Sequence, residues 1–412
     1  GGGDPAAGSD PTDVITFVGS MDDYFPACWL YNTSDIGLFN FGATPFQNAA
    51  PTGFTTMSTQ NLPAPTIADG SQHFNTVIYT GTGAELAIDS LNFTPDFVWI
   101  KNRDATDSHV LYDSVRGATK DLHADTTAAE TTTAQTLKSF DSAGFTLGTD
   151  VQVNTSSEDY VAWCWKAGGS ASSNTDGSIT TSVSANPTAG FSIISYTGNA
   201  TAGATLGHGL SSAPKFIIGK NRDNGANNWG GYHVSLGGTH RIFLDNTNAA
   251  QDDDGNWNDT NPTASVITLG NGGITNSNTD DFIMYAWAEV EGFSKFGSYT
   301  GNASTDGPFV YTGFRPAFVL AKSSSNSGTR WMLIDSVRHP YNDSDASALA
   351  PNSSESEADV KPTNAAVDLL SNGFKIRSDS SDWNGSSYTY IYAAFAETPF
   401  QGDDGVTQAR AR

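Results

Sequence analysis

Cysteine is almost missing from this chain: two residues, Cys28 and Cys164, in 412. Each sits inside an aromatic run that reads as a strand, so both are expected as buried free thiols. Spacing alone leaves open whether they pair, and two cysteines make no disulfide framework. Positive charge is scarce too. Lys plus Arg number 20 against 44 Asp plus Glu, a formal charge of −24. That field repels phosphate backbones, which argues against nucleic acid as a partner. No apolar run approaches the roughly 20 residues of a membrane-spanning helix, so no membrane insertion is expected. There is no signal-peptide pattern, and the chain opens on Gly1-Gly2-Gly3-Asp4 without a methionine. Residues 1–12 therefore read as a flexible linker inside a longer product. Helical periodicity is also lacking. The best window, Thr126 to Phe140, is rich in Thr and has little apolar face.

What is abundant points one way. Gly numbers 42, aromatics make up 11% and charged residues only 16%. Thr, Ser, Asn and Gly fill much of the remainder, a composition of strands and turns. The expectation is an all-β chain, divided because 412 residues exceed one ordinary core.

The division is visible as a repeat. "YTGNA" stands at Tyr196–Ala200 and again at Tyr299–Ala303, with a shorter Tyr79-Thr80-Gly81 upstream. Each copy begins with Phe (Phe74, Phe191, Phe293) and reaches a Pro-x-Phe step at Pro95–Phe97, Pro214–Phe216 and Pro316–Phe318. An apolar run closed by Lys101, Lys220 or Lys322 follows. A late apolar run ends each copy: Tyr160–Trp165, Phe282–Trp287 and Tyr390–Phe395. Proline suits a strand entry that needs no ladder donor. Continuous rather than alternating apolar runs suit strands covered on both faces. Gly144, Gly272-Gly273 and Gly373 read as turns before a late strand.

These anchors predict three β-sandwich repeats at 73–169, 190–292 and 293–400. Residues 170–189 read as a linker, or a linker with one exposed strand at Ser178–Val183. The first pair should bend there, whereas the second and third abut and should be rigid. Residues 401–412 form a tail. "DSVR" recurs at Asp113–Arg116 and Asp335–Arg338, but the second copy has His233-Val234-Ser235-Leu236 instead. That absence favours a structural Asp–Arg pair over a function needed in every copy.

The segment Tyr24–Ile67, with Phe39-Asn40-Phe41-Gly42 and Pro45-Phe46, resembles the closing strands of a SPRY-type sandwich found in virion proteins of marine phages. Residues 13–72 would then be the C-terminal part of a SPRY-like domain, its front half either missing or lying upstream. The three copies, through their Pro-x-Phe steps and Leu111–Gly117, are similar to a domain of unknown function that follows that unit in tandem. The resemblance implies a non-enzymatic phage virion surface protein, such as a tail fibre, head fibre or other appendage, involved in host attachment. It carries no catalytic residues and no cofactor.

Asp252, Asp254, Asn256 and Asp259 set alternating oxygens around a glycine. The pattern reads either as the first half of a calcium loop or as a solvated acidic turn, since the EF-hand glutamate is replaced by Thr263. The seven histidines show no metal-ligand spacing. Trp229, Trp257 and Trp383 lie among polar residues and are the candidate glycan-binding tips, against the alternative that each caps its own core. Among 44 acids a glycosidase pair arises by chance, so none is singled out. Competing readings are a carbohydrate-binding adhesin or lectin-like module and a polysaccharide depolymerase. The expected partners are other virion proteins, a host surface glycan and the chain itself, most simply as a trimer.

Overall fold

The computed structural model describes residues 66–342, 348–360 and 367–396. Residues 1–65, which hold Cys28 and most of the segment 13–72 expected to be SPRY-like, and the tail at 401–412 lie outside the described residues. What is described is nearly all β, as the composition predicts.

The first repeat supplies β1 (Phe74–Thr80), β2 (Leu86–Ile88), β3 (Phe97–Asn102), β4 (Val110–Asp113), β5 (Lys120–His123), β6 (Thr131–Thr132), β7 (Leu137–Asp141), β8 (Gly144–Leu147), the helical turn α1 (Val151–Asn154) and β9 (Asp159–Trp165). Then come β10 (Ser172–Asn174) and β11 (Thr181–Asn186). The second repeat has β12 (Phe191–Thr197), β13 (Ala204–Gly207), β14 (Pro214–Asn221), β15 (Gly230–His233), β16 (His240–Phe243), β17 (Gln251–Asp252), α2 (Asp254–Trp257), β18 (Val266–Leu269), α3 (Gly273–Asn276) and β19 (Asp281–Ala288). The third has β20 (Ser294–Thr300), β21 (Phe309–Tyr311), β22 (Pro316–Ser323), β23 (Trp331–Asp335), α4 (Glu357–Val360), β24 (Val367–Leu370), β25 (Gly373–Ile376), α5 (Ser381–Asn384) and β26 (Thr389–Ala396).

Each repeat lays a large sheet over a small one. The large sheets run β1-β9-β3-β4-β5-β6, β10-β11-β12-β19-β14-β15-β16-β17 and β20-β26-β22-β23. The small ones are β2-β8-β7, β13-β18 and β21-β25-β24. In every repeat the last strand pairs antiparallel with both the first strand and the Pro-x-Phe strand. Pro214 and Pro316 sit at a register shift just before Phe216 and Phe318, where a missing N–H costs nothing. Register also corrects one anchor. Ser294, not Phe293, faces Phe395 as Phe74 faces Trp165.

The repeated "YTG" is a latch. Tyr79, Tyr196 and Tyr299 donate their hydroxyls to the carbonyls of Val153, Thr275 and Trp383 in α1, α3 and α5, at 2.8, 2.6 and 2.9 Å. The following glycine lets the chain pass under the helix exit. A Cβ on Gly81, Gly198 or Gly301 would lie 2.1, 2.2 or 2.3 Å from a carbonyl oxygen. Buried Asn154, Asn276 and Asn384 end these helical turns and accept the N–H of Thr82, Asn199 and Asn302 at 2.7, 2.8 and 2.7 Å. Gly272 and Gly273 belong here too: they open α3 rather than precede a strand.

The linker reading of 170–189 is corrected. β10 and β11 extend the second repeat's large sheet, with β11 paired to β12. Thr181 and Val183 turn inward while Ser182 faces out, so the alternation of a half-buried strand was present in a stretch of small polar residues. No free linker is left there for the expected bend.

The central strands of the large sheets are buried on both faces, as their continuous runs require. In β3, Val98 and Ile100 enter the sandwich interior, whereas Phe97 and Trp99 face the other repeats. The three outward faces share one core. Trp165, Trp287 and Phe395, one from each repeat at the same register position, meet with ring centroids 6.0, 6.5 and 5.6 Å apart. Full burial of each such ring contributes roughly 2–3 kcal/mol. The repeats thus form a closed three-membered ring in which the first also contacts the third.

Candidate functional site

The polar chemistry of this body gathers at the seams between repeats. Asp113, His233 and Asp335 hold one register position, opposite Phe97, Phe216 and Phe318. Each meets the neighbouring repeat. Tyr285 donates its hydroxyl to Asp113 at 2.7 Å, and the Trp163 indole donates to Asp335 at 3.1 Å. The residue matching Trp163 and Tyr285 in the third repeat is Ala393, which has no donor. There His233 donates instead, to the main-chain carbonyl of Tyr392 at 3.0 Å. An aspartate would have met that carbonyl with like partial charge.

The difference extends over four positions. Arg116 pairs with Asp113 and, at 3.2 Å, with Glu130; Arg338 pairs with Asp335 at 2.6 Å and Glu357 at 2.7 Å. Across the seams Arg222 of the second repeat reaches Glu130 at 2.9 Å, and Arg103 of the first reaches Glu357 at 2.6 Å. Burial pushes Glu357 up, but the hydrogen bond to His339 and the charges of Arg338 and Arg103 hold it at about 2. The main chain repeats the contact at all three seams: Glu130, Glu357 and Ala250 donate N–H to Arg222, Arg103 and Ser324 at 2.8, 2.8 and 2.9 Å. In the second repeat the partners are therefore His233, Leu236 and Ala250, facing Ser324 of the third. At these seam positions the buried charges occur as a complete set or not at all, because one unpaired member would be expensive.

A third contact closes two of the seams. Trp229 and Trp331 donate their indoles to the carbonyls of His123 and Phe243, both at 2.8 Å. His109 holds their register position in the first repeat and senses the Ala350 carbonyl. Its Nδ1 accepts from Trp99 at 3.0 Å, and the shorter imidazole leaves Nε2 without a partner of good geometry.

Lys101, Lys220 and Lys322 end β3, β14 and β22 fully buried. Burial pushes each down to about 8. Their ammonium groups donate to loop carbonyls: Lys101 to Asn102 and Ala105 at 2.5 and 3.0 Å, Lys220 to Asn221 at 2.9 Å, Lys322 to Ser323 at 2.9 Å. Asn102 and Asn221 accept the N–H groups of Asp104 and Asp223, which makes the shared "KNRD" a turn device.

A family model described as "Domain of unknown function (DUF7483)" matches residues 69–399. The chain belongs to this family. No curated protein matches it. The DUF7483 model runs across all three repeats, in keeping with a body whose core is shared among them.

Against this frame several expected site residues of the DUF7483 body are corrected. Trp229, Trp257 and Trp383 are not exposed tips; all three are fully buried. Trp229 serves a seam and Trp257 donates to the Gly231 carbonyl at 3.3 Å. The four residues of the acidic loop are spread over a strand, a helical turn and an exposed position. Asp252 lies in β17 opposite His240, Asp254 opens α2 on the surface, Asn256 is buried and Asp259 is exposed with φ 49°. Trp257, drawn into the core, ends the helical turn α2. Among the described residues no three His, Cys, Asp or Glu side chains come together as a metal set. Cys164 is a buried free thiol. No helix among the described residues is long and apolar enough to cross a membrane.

The residues that sequence reasoning missed carry a faint signal. Asn154, Asn276 and Asn384 each stand five places before the last strand of their repeat. Phe309 and Tyr311, alternate residues of one short strand, are both exposed.

Proposed function

We propose that this DUF7483 protein is a non-enzymatic surface component of a phage virion, a tail fibre, head fibre or other appendage, that takes part in host attachment. One observation supports the reading above others: buried ion pairs at two of the seams join one repeat to the next. Arg103, Arg116, Arg222 and Arg338 are matched there by Glu130, Glu357, Asp113 and Asp335, so the acidic excess of the chain lies outside these sets. A closed, strongly charged body suits a projecting part that has to stay folded and soluble outside a cell. Self-assembly, most simply as a trimer, and docking on other virion proteins belong to the same proposal, and sedimentation of the purified chain tests the first.

A carbohydrate-binding adhesin is the second reading, favoured by exposed Phe309 and Tyr311. Immunogold electron microscopy with antibody raised against the purified chain tests the virion assignment. Label on the outside of intact particles is expected. Intact particles without label would overturn it.

A further inference from the structure

We infer that the outer face of β21 and β25 in the third repeat is a stacking site for a neutral pyranose chain. This rests on the attachment reading and names its ligand class. Phe309 and Tyr311 are 45% and 61% exposed, while Val310 between them is buried, so both rings share the outward face of an edge strand. Glycines clear the ground around them. Opposite Tyr311 stands Gly373, where a Cβ would lie 2.1 Å from the Val310 carbonyl oxygen of the paired strand and 3.1 Å from the Phe309 ring. The Tyr311 hydroxyl lies 3.7 Å from where Gly313 would carry a Cβ.

Polar groups edge this shelf. Lys375, opposite Phe309, is held by Asp306 and the Gly307 carbonyl, both at 2.7 Å. Arg377 pairs with Asp368 at 2.6 Å and comes within 3.9 Å of Asp306. Two cations and two carboxylates balance, offering donors and acceptors to hydroxyls without a net charge to attract an ion. The apolar C–H face of a pyranose packs on an aromatic ring while its hydroxyls reach such a rim. An anionic polysaccharide would face the repulsion of a chain at −24.

The fold itself does not require these rings. In the first repeat β2 pairs Ile88 with Phe145 as β21 pairs Val310 with Phe374. That register puts Ala87 where Phe309 stands and Asp89 where Tyr311 stands. The same sandwich is therefore built without aromatics on this face.

Affinity electrophoresis of the full chain through a glucan, a mannan and a galactan, with alginate as the anionic control, tests the site. Retention by at least one neutral chain is expected. The double variant Phe309→Ala/Tyr311→Ala should weaken it by about tenfold or more. Its melting temperature should not move. Failure of every neutral chain to retain the protein, retention by alginate alone, or equal retention of the variant would overturn the shelf. If the variant still adsorbs to host cells, the shelf falls and attachment stands. Shelf-dependent glycan binding by a protein missing from particles would leave the shelf and remove attachment.

Discussion

His233 donates its Nε2 proton to the main-chain carbonyl of Tyr392 across the seam between the second and third repeats, at 3.0 Å. Its Nδ1 accepts the N–H of Ser235 at 3.1 Å, so the bonded ring is neutral. Burial pushes its pKa down to about 4, with the Tyr392 carbonyl opposing weakly. The unfolded ring, near 6.5, binds a proton that the folded ring refuses. The contribution is complete above pH 6.5 and is lost as pH falls from there to about 4, roughly 3 kcal/mol in all. Urea unfolding between pH 7 and 4 should show this slope, and His233→Asn should reduce it by about one proton. An unchanged slope would remove His233 from the account.

The other two seams depend on complete ionic sets. Asp113→Asn leaves Arg116 buried beside a neutral amide and should cost about 3–5 kcal/mol. Adding Arg116→Leu, the residue found at that position in Leu236, should recover part of the loss. Denaturant midpoints of the two variants check this. A double variant less stable than the single one would contradict it.

The latch makes a sharper steric statement. Gly198→Ala drives a Cβ to 2.2 Å from the Ser277 carbonyl oxygen. It should lose about 3 kcal/mol or more. Gly273→Ala meets nothing closer than 3.7 Å. It should stay within about 0.5 kcal/mol. Thermal melts of the pair separate a close approach from a general intolerance of change.

The all-β class was legible because its signal is local: Pro-x-Phe entries, continuous apolar runs and turn glycines. Burial of the large sheets on both faces was legible from the same runs, but the identity of the second cover was not. Phe97 packs on Tyr285 with ring centroids 4.3 Å apart across 188 residues of chain, and no pattern in either strand names the other. Trp229 and Trp383 misled because their sequence neighbours are turn residues, whereas a tryptophan at a strand entry or in a helical turn is placed by packing. The loss of "DSVR" from the second repeat was visible. Its cause, Ala393 on the facing strand, required the register.

Closure of the ring between the first and last repeats is the central claim. Trp163 and Asp335, 172 positions apart, meet only if it holds. A double-mutant cycle with Trp163→Phe and Asp335→Asn, followed by urea unfolding of the full chain, measures their coupling. The ring predicts about 1–2 kcal/mol of interaction. Strict additivity of the two substitutions would contradict it and leave three sandwiches in a row.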